Sequence, residues 1–329
     1  MDIDAFVAVH QGEWDRLAEL SSRTRPTADE ADELLRLYQR TSTHLSMIQA
    51  HDPGGAVAAG LSARLGRARG RLTGGGDNLL VSIARFVMQV LPAAFHRVAV
   101  PTVVVGALFL LVSGAFALWT QHHPQIELLM SDEARAAYAR DDFVDYYSDH
   151  PNASFAAQVW TNNAWIAAQE VTLGVTGVWV PAVLLVNAQG LGISAGVMFE
   201  QGEAWTFWAH ILPHGLMELT AVFVAGAAGL RIFWAWVSPG RRRRLTALAE
   251  EGRRLITVAI GLTAVLLVSG VVEGFVTPSD LPAAVKILIG AAVLAGYWTY
   301  TLVLGGRARR AGITGDLARY DSGAHELTA

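Results

Sequence analysis

The feature that most constrains this chain is a series of long apolar stretches, almost free of charge, between residues 98 and 304. The chain has 329 residues, of which 52% are hydrophobic and 16% are charged. A soluble domain carries about a quarter charged residues. The charges present are concentrated in residues 1–97 and in the C-terminal tail. This distribution predicts an all-α polytopic membrane protein with soluble appendages.

The apolar stretches define a predicted membrane domain over residues 98–306 with about six transmembrane helices. A helix of about 20 residues crosses a hydrocarbon core about 30 Å thick. The segment 155–199 is long enough for two short spans with a turn near Gly177–Pro181, or for a re-entrant segment. Pro213 predicts that the segment 205–237 is kinked there, or that it changes there from an interfacial part to a spanning part. The predicted segments are 98–119, 155–199, 205–237, 255–276 and 283–304.

The N-terminal residues predict a cytoplasmic helical region. Apolar stripes indicate helices over 3–22, 28–50 and about 56–72. The second of these should begin at a capping box, which Thr27 and Glu30 provide. These helices would form a soluble unit ahead of the membrane domain.

Residues 78–97 also repeat apolar positions at helical spacing, but Arg85, His96 and Arg97 interrupt them. Such a pattern is typical of a helix that lies in the membrane interface. The alternative is a helix in a soluble core. We therefore assign residues 1–97 to the cytoplasmic region and 78–97 to an interfacial helix within it.

Arginine placement predicts the orientation, because positively charged segments stay on the cytoplasmic side. Arginine-rich segments precede residue 98, occupy 241–254 and follow residue 306. The acidic loop 120–154 is then extracytoplasmic and the tail 307–329 cytoplasmic. Six spans satisfy these placements, whereas five would put the arginines at 241–244 outside. Both termini are therefore predicted to be cytoplasmic.

Polar side chains inside the apolar stretches are the candidate functional residues, because a central Asp, Lys or Arg costs about 2.5–3.5 kcal/mol on insertion scales. His214 and Glu218 are four residues apart and share one helix face, with His210 one turn earlier. Glu273 lies near the outer end of the fifth predicted span. The predicted polar membrane centre comprises His214, Glu218, Glu273, Asn162, Asn163 and Asn187.

Three interpretations of this centre are open. It could be a buried hydrogen-bond network that joins helices, or a proton or ion relay with histidine as the carrier. It could also hold zinc or iron through His210, His214 and Glu218. Pro213 lies between the two histidines and weighs against their alignment on a metal. We accordingly expect no bound metal or other cofactor.

Several catalytic patterns are missing from the sequence. The chain has no cysteine, which excludes a disulfide framework, a thiolate metal site and a cysteine nucleophile. It contains no Gly-rich phosphate loop ending in Gly-Lys-Ser/Thr, no His-Glu-x-x-His and no Gly-x-Ser-x-Gly. These absences favour a protein that is not an enzyme.

Four motifs in the membrane domain occur in a fixed order: Thr161-Asn162-Asn163, then Asn187 to Gly192, then Leu212 to Leu219, then Glu273 to Pro278. With these motifs the chain resembles the stage II sporulation protein M family over roughly residues 155–300. The N-terminal part resembles the actinobacterial branch of that family. The family usually shows Asn-Gly where this chain has Asn187-Ala188, so the geometry at that position is expected to differ.

The resemblance implies a bacterial inner-membrane protein. The sporulation member of the family is a scaffold that brings peptidoglycan-degrading partners to the septum. The leading hypothesis is therefore a scaffold for cell-envelope or septal remodelling, with docking surfaces on the cytoplasmic helices and on the loop 120–154. The family contributes no cofactor to this expectation. Expected partners are membrane lipids, envelope or peptidoglycan-remodelling proteins and a second copy of the chain, but no nucleic acid.

Two alternatives use the polar centre directly. A transporter or channel would have a polar path along His214, Glu218, Glu273 and the Asn162-Asn163 pair. An intramembrane metal-dependent enzyme would need a bound metal at the same place. A scaffold should tolerate conservative changes within the centre, whereas a transporter or an enzyme should lose its activity.

Overall fold

The computed structural model describes residues 3–23, 26–52, 55–72, 79–123, 125–148 and 152–317, without the side chains of 79, 146–148 and 152–159. Within these residues the chain is helical and contains no strand, so the all-α prediction is confirmed. The chain divides into two compact units, with the boundary between Ala84 and Arg85.

The first unit contains α1 (Ile3–Ser22), α2 (Ala28–His51) and α3 (Ala56–Leu72), which confirms the three predicted helices. The predicted capping box also forms, because the Glu30 amide donates to the Thr27 hydroxyl and the Glu30 carboxylate accepts from the Thr27 amide. Apolar residues from all three helices form the core of this unit. Its buried members include Trp14, Leu17, Leu20, Leu34, Ile48, Leu61 and Leu65.

Ion pairs between helices reinforce this unit. The Arg16 guanidinium donates to the Glu33 carboxylate at 3.0 and 2.9 Å and so joins α1 to α2. These hydrogen bonds lower the pKa of Glu33 below its ordinary value. Arg64 in α3 donates to Asp15 in α1 at 2.7 Å. Because these pairs are largely exposed, the apolar core contributes most of the stability.

The second unit begins inside a helix that the sequence divides differently. Helix α4 (Leu79–Arg85) continues through a π-helical segment (Phe86–Val90) into α5 (Leu91–His122). No helix end falls at residue 98, where the predicted interfacial helix gives way to the first span. The assignment of 78–97 to the membrane interface stays a prediction, and residue 78 lies outside the described residues.

Five helical segments of this unit are long and apolar enough to cross a membrane. The chain is therefore a polytopic membrane protein. Pro213 does not interrupt its helix, which runs unbroken from Ala204 to Val237. The five segments are Leu80–His122, Trp179–Glu200, Ala204–Val237, Arg244–Val276 and Ala283–Arg310.

Two helices occupy the segment 155–199, with a turn between them where one was predicted. The structure has α9 (Asn152–Leu173), a short 3-10 segment (Gly174–Thr176) and α10 (Trp179–Glu200). Gly177 turns the chain between them with φ +75°, a left-handed conformation that favours glycine. Helix α9 has 22 residues but is not one of the five apolar segments. Its polar residues account for this difference from the predicted count of six.

Helix α9 nevertheless lies along a membrane helix. It runs parallel to α11 (Ala204–Val237), because Asn163 contacts Glu218 and, eleven residues later, Gly174 contacts Gly229. At the second contact a Cβ on either glycine would collide with the backbone of the other helix. The two helices therefore follow each other in the same direction over about three turns.

Helices α5 and α10 are also parallel. Gly192 lies against the Ser113 carbonyl, and Gly196 lies one turn further along, against Ala117 and Thr120. Helix α12 (Arg244–Val271) extends through a π-helical segment (Val272–Val276) and lies antiparallel to α11. The unit closes with α13 (Ala283–Thr299), a π-helical segment (Tyr300–Leu304) and α14 (Gly305–Arg310).

The predicted acidic loop 120–154, called the acidic segment from here on, contains short helices rather than an irregular chain: α6 (Ile126–Leu129), α7 (Asp132–Ala137) and α8 (Phe143–Ser148). Arg135 is buried and pairs with Glu200 at 3.1 Å, which fastens this segment to the end of α10. Phe143 stacks on Phe207 of α11 with ring centroids 5.8 Å apart. The segment is thus packed on the end of the helix bundle where α10 turns into α11.

Candidate functional site

The polar membrane centre forms where α11 and α12 face each other near the end of the bundle that carries the acidic segment. His214 of α11 and Glu273 of α12 are both buried, with side-chain exposures of 4% and 3%. The His214 Nε2 atom lies 3.7 Å from Glu273 Oε1. Glu273 belongs to the π-helical segment that ends α12. Such segments are frequent at functional sites.

The other ring nitrogen of His214 is held by Thr277. His214 Nδ1 lies 3.2 Å from the Thr277 hydroxyl, which itself donates to the Val272 carbonyl at 3.5 Å. A hydroxyl that donates there accepts from His214, so we assign the hydrogen to Nδ1. The Nε2 lone pair then faces the Glu273 carboxyl group. A proton or a cation between these two groups would satisfy both.

Glu218 joins the centre from the next turn of α11, as its spacing from His214 predicts. Its carboxylate accepts a hydrogen bond from the Asn163 side-chain amide of α9. One atom each from His214, Glu218 and Glu273 lie within 4.8 Å of one another. This donor set of one imidazole and two carboxylates could hold a divalent cation, for which nitrogen and oxygen ligands are suitable. It could equally share a proton between the carboxyl groups.

The remaining predicted residues lie outside this cluster. Asn162 is exposed, while Asn187 donates to the Val183 carbonyl of its own helix at 2.8 Å. His210 Nδ1 lies 2.8 Å from the Thr206 carbonyl, also within its own helix. Its ring packs edge-on against Phe143 of the acidic segment, with centroids 5.9 Å apart. The structure thus brings together four of the six predicted side chains: His214, Glu218, Glu273 and Asn163.

Two further residues belong to the centre, and neither was predicted. The Ser269 hydroxyl donates to the His214 carbonyl at 3.1 Å, and Lys286 of α13 donates to the Thr277 carbonyl at 2.6 Å. Lys286 is the single lysine of the sequence, a signal that could have drawn attention to it. Through these contacts the centre links α9, α11, α12 and α13.

Comparison with known proteins places this arrangement in a family. The family model described as "Stage II sporulation protein M" matches residues 98–278, which is more than half of the chain. The chain belongs to the stage II sporulation protein M family. The match contains every residue of the polar centre except Lys286. The N-terminal unit matches a separate "Domain of unknown function (DUF8413)" over residues 4–74.

One curated relative of this family member is the "Uncharacterized protein MJ0706" of Methanocaldococcus jannaschii. The two are 26% identical over 132 residues, which is 38% of this chain and 57% of that protein. The chain therefore matches little more than half of that relative's length. No solved structure matches the chain.

A second buried carboxyl group of this family member lies on α9. Glu170 is fully buried, and one of its carboxyl oxygens lies against Gly226 of α11. Within the described part of the chain, neither of its carboxyl oxygens has a hydrogen-bond partner. The Glu170 carbonyl lies directly against Gly229, two residues before Arg231. Along α11 the Glu170 carboxyl group thus lies between the polar centre and the opposite end of the bundle, closer to that opposite end.

That opposite end is rich in arginine. Glu251 of α12 is 6% exposed and faces three guanidinium groups. Its carboxylate pairs with Arg97 of α5, with Arg231 of α11 at 3.6 Å and with Arg254 at 3.1 Å. One carboxylate therefore serves three arginines, and this arginine cluster joins α5, α11 and α12. The arginine-rich segments were evident from the sequence, but the sequence did not indicate that three of the arginines share Glu251 as a partner.

The N-terminal unit of this family member holds a separate cluster of His10, Glu13 and His44, whose potential ligand atoms lie within 4.8 Å of one another. Trp14 donates to His44 Nδ1 at 3.2 Å. Burial, with a smaller effect from His10, lowers the pKa of His44 below its ordinary value. Since Trp14 already occupies one imidazole nitrogen, the cluster is suited to packing α1 against α2.

Proposed function

We propose that this chain is a scaffold protein of the bacterial inner membrane that serves cell-envelope or septal peptidoglycan remodelling. The observation that carries the proposal is that both parts of the chain predicted to lie outside the membrane are folded surfaces. The N-terminal helices enclose their own core. The acidic segment is fixed to α10 and α11 by Arg135 and Phe143. A rigid surface suits docking, because little order has to be gained on binding.

The polar centre fits this proposal as a clamp between helices. His214 and Glu273 are almost completely enclosed, and side chains or carbonyls from four helices meet there. Polar contacts of this kind hold membrane helices together with about 0.6 kcal/mol each on average. Several of them in one place would fix the relative positions of α9, α11, α12 and α13 and thereby the surfaces that these helices support.

In vivo cross-linking in the native organism tests the scaffold, with the captured proteins identified by mass spectrometry. We expect a protein that binds or cleaves peptidoglycan to be captured, and its yield to fall in the double variant Asp141→Asn, Asp142→Asn. Both aspartates are exposed on the acidic segment. Asp280→Asn is the matched control, since it is exposed near the same end of the bundle but in another turn.

The proposal fails if His214→Gln or Glu218→Gln abolishes the biological activity while expression and partner capture stay normal. That result would favour transport of a proton or a cation, a second candidate that rests on the convergence of His214, Glu218 and Glu273. Flux measurements in proteoliposomes with Glu273→Gln would then be decisive. Stoichiometric zinc or iron in the purified protein would instead support an intramembrane enzyme.

We further propose that the chain crosses the membrane six times, with both termini in the cytoplasm. The parallel course of α9 and α11 supports this count, because α10 joins them and three consecutive helices in alternating directions are what three crossings require. It would bring the arginines after α11 to the cytoplasmic side. Single-cysteine variants test this cleanly, since the chain has no cysteine. An impermeant maleimide should label Ser131→Cys in intact cells, and Arg242→Cys only after permeabilisation.

A further inference from the structure

A pocket of about 310 Å³ opens at the arginine-rich end of the membrane unit. Three arginines from different helices line it: Arg97 of α5, Arg231 of α11 and Arg309 of α14. Ala93 and the segment from Gly312 to Thr314 complete its wall. Among the residues that the structure describes, no acidic side chain lines the pocket. It is separate from the polar centre, which lies at the opposite end of α11.

The pocket carries surplus positive charge. Glu251 pairs with Arg97 and Arg231, but it also serves Arg254. Arg309 is exposed, and among the described residues it has no ion-pair partner. Arg254 also pairs with Glu250 at 3.8 Å. Two carboxylates therefore face three arginines, while a fourth arginine, Arg309, lies at the rim of the pocket without an ion-pair partner among the described residues. Such a site attracts an anion.

Arg231, which lines the pocket, contributes a second observation. Its Nε atom is buried and has no hydrogen-bond partner within the described part of the chain. A buried donor without an acceptor costs about 1–3 kcal/mol, so contacts within the described residues do not fully satisfy this guanidinium group. Guanidinium groups present paired N–H donors whose geometry matches the oxygens of a phosphate group.

The wall formed by Gly312 to Thr314 is held in place from outside the pocket. Arg253 of α12 donates to both oxygens of Asp316 at 2.7 and 2.9 Å. The Thr257 hydroxyl donates to the Gly315 carbonyl at 3.0 Å. The pocket is therefore a built feature of the fold, with its basic side chains supplied by three helices and its wall anchored to α12.

We propose that this pocket binds a phosphate group, and that the phosphate belongs to the headgroup of an anionic phospholipid. The location argues for a lipid, because the pocket lies at the polar end of membrane-spanning helices, where headgroups are found. Basic pockets between membrane helices are suited to anionic headgroups. The bound headgroup would tie α14 to α5 and α11. This inference goes beyond the scaffold proposal and does not depend on it.

The test uses the full-length protein, delipidated in detergent, and measures binding of phosphatidylglycerol by native mass spectrometry. Arg309→Gln should weaken binding about tenfold, which corresponds to the loss of one hydrogen-bonded charge contact. Arg310→Gln is the matched control, since it removes the same charge from the next exposed position without touching the pocket. We expect this control to change binding by less than about twofold. Arg231→Lys, which retains the charge facing Glu251, should also weaken binding.

Two probes distinguish the sources of phosphate. Phosphatidylglycerol should raise the thermal stability of the protein, whereas phosphatidylcholine at the same concentration should have a much smaller effect. Stabilisation by inorganic phosphate alone, lost in Arg309→Gln, would support the phosphate site but overturn the lipid assignment. Equal binding to Arg309→Gln and Arg310→Gln would overturn the proposal altogether.

Discussion

The contact between α9 and α11 can be tested at Gly229. A Cβ added there would collide with the Glu170 carbonyl and would lie 3.1 Å from Cγ2 of Val180. The first of these neighbours is backbone, so the two helices would have to separate. Overpacking of this kind costs about 1–3 kcal/mol. We therefore expect Gly229→Ala to destabilise the membrane unit.

Gly190→Ala is the matched control for this experiment. No atom lies within 4 Å of a Cβ built on Gly190, which is also inside a membrane helix. There the substitution should be neutral or stabilising by about 0.5–1 kcal/mol, because alanine loses less backbone entropy in a helix than glycine does. The two variants should thus differ by about 1–4 kcal/mol in the free energy of unfolding, the sum of the two effects.

Reversible unfolding in mixed detergent and dodecyl sulfate micelles measures this difference. The ten tryptophans of the chain provide the fluorescence signal. If Gly229→Ala were as stable as Gly190→Ala, α9 would not lie against α11 as the structure has it. The argument that α9 accompanies α11 across the membrane would then lose its main support.

Three further predictions concern single contacts. Removing Arg135 with Arg135→Gln should detach the acidic segment from Glu200, so that limited proteolysis within 125–148 becomes faster while the rest of the unit stays protected. Because the pKa of His44 is lowered in the folded unit, the unfolded chain takes up the proton first as the pH falls, so α1 and α2 should lose stability below about pH 6.5. Hydrogen exchange should show this loss, and His44→Gln should reduce it. Glu218→Ala leaves the Asn163 amide without its acceptor and should destabilise the membrane unit by about 1–2 kcal/mol, whereas Glu218→Gln, measured by the same unfolding assay, should cost less.

Much of the fold could be predicted because helix signals are local. The capping box at Thr27 fixed the start of α2, and the glycines and proline near Gly177 marked the turn between α9 and α10. The boundary at residue 98 has no such signal. Pro101 lies inside α5 and the helix continues past it, since a neighbouring helix or side chain can satisfy the backbone group that a proline frees.

The polar centre was only partly predictable, for a geometrical reason. His214 and Glu218 share a helix, so their spacing places them together. The contact of Glu273 with His214 depends on how α12 is aligned along α11, and no local pattern specifies that alignment. The same holds for Asn163, which reaches Glu218, and Asn162, which does not. Adjacent residues on a helix point about 100° apart, so only one of the pair can face a given neighbour.

The positions of the two polar clusters along their helices bear on the competing functions. Glu251 and Glu273 are separated by 22 residues of α12, or about 33 Å at 1.5 Å per residue. His214 and Arg231 are separated by 17 residues of α11, or about 26 Å. On α11 no charged residue lies between Glu218 and Arg231, and on α12 none lies between Arg254 and Glu273. This charge-free stretch, the apolar layer, thus separates the clusters by 13 residues, or about 20 Å, on α11 and by 19 residues, or about 29 Å, on α12. A hydrocarbon core is about 30 Å thick.

This spacing puts the polar centre near one face of the membrane, whereas transporter sites lie close to the bilayer midplane between discontinuous helices. Helix α11 is continuous over 34 residues. In the apolar layer α11 and α12 offer an ion no charged group, and the Glu170 carboxyl group of α9 is buried there against Gly226, between the two clusters. Two polar clusters that join the same helices at opposite ends have a simpler effect than ion transport. They hold the helices at fixed relative positions and keep the apolar layer at the depth of the hydrocarbon core. That effect is what a membrane scaffold requires of its spanning domain.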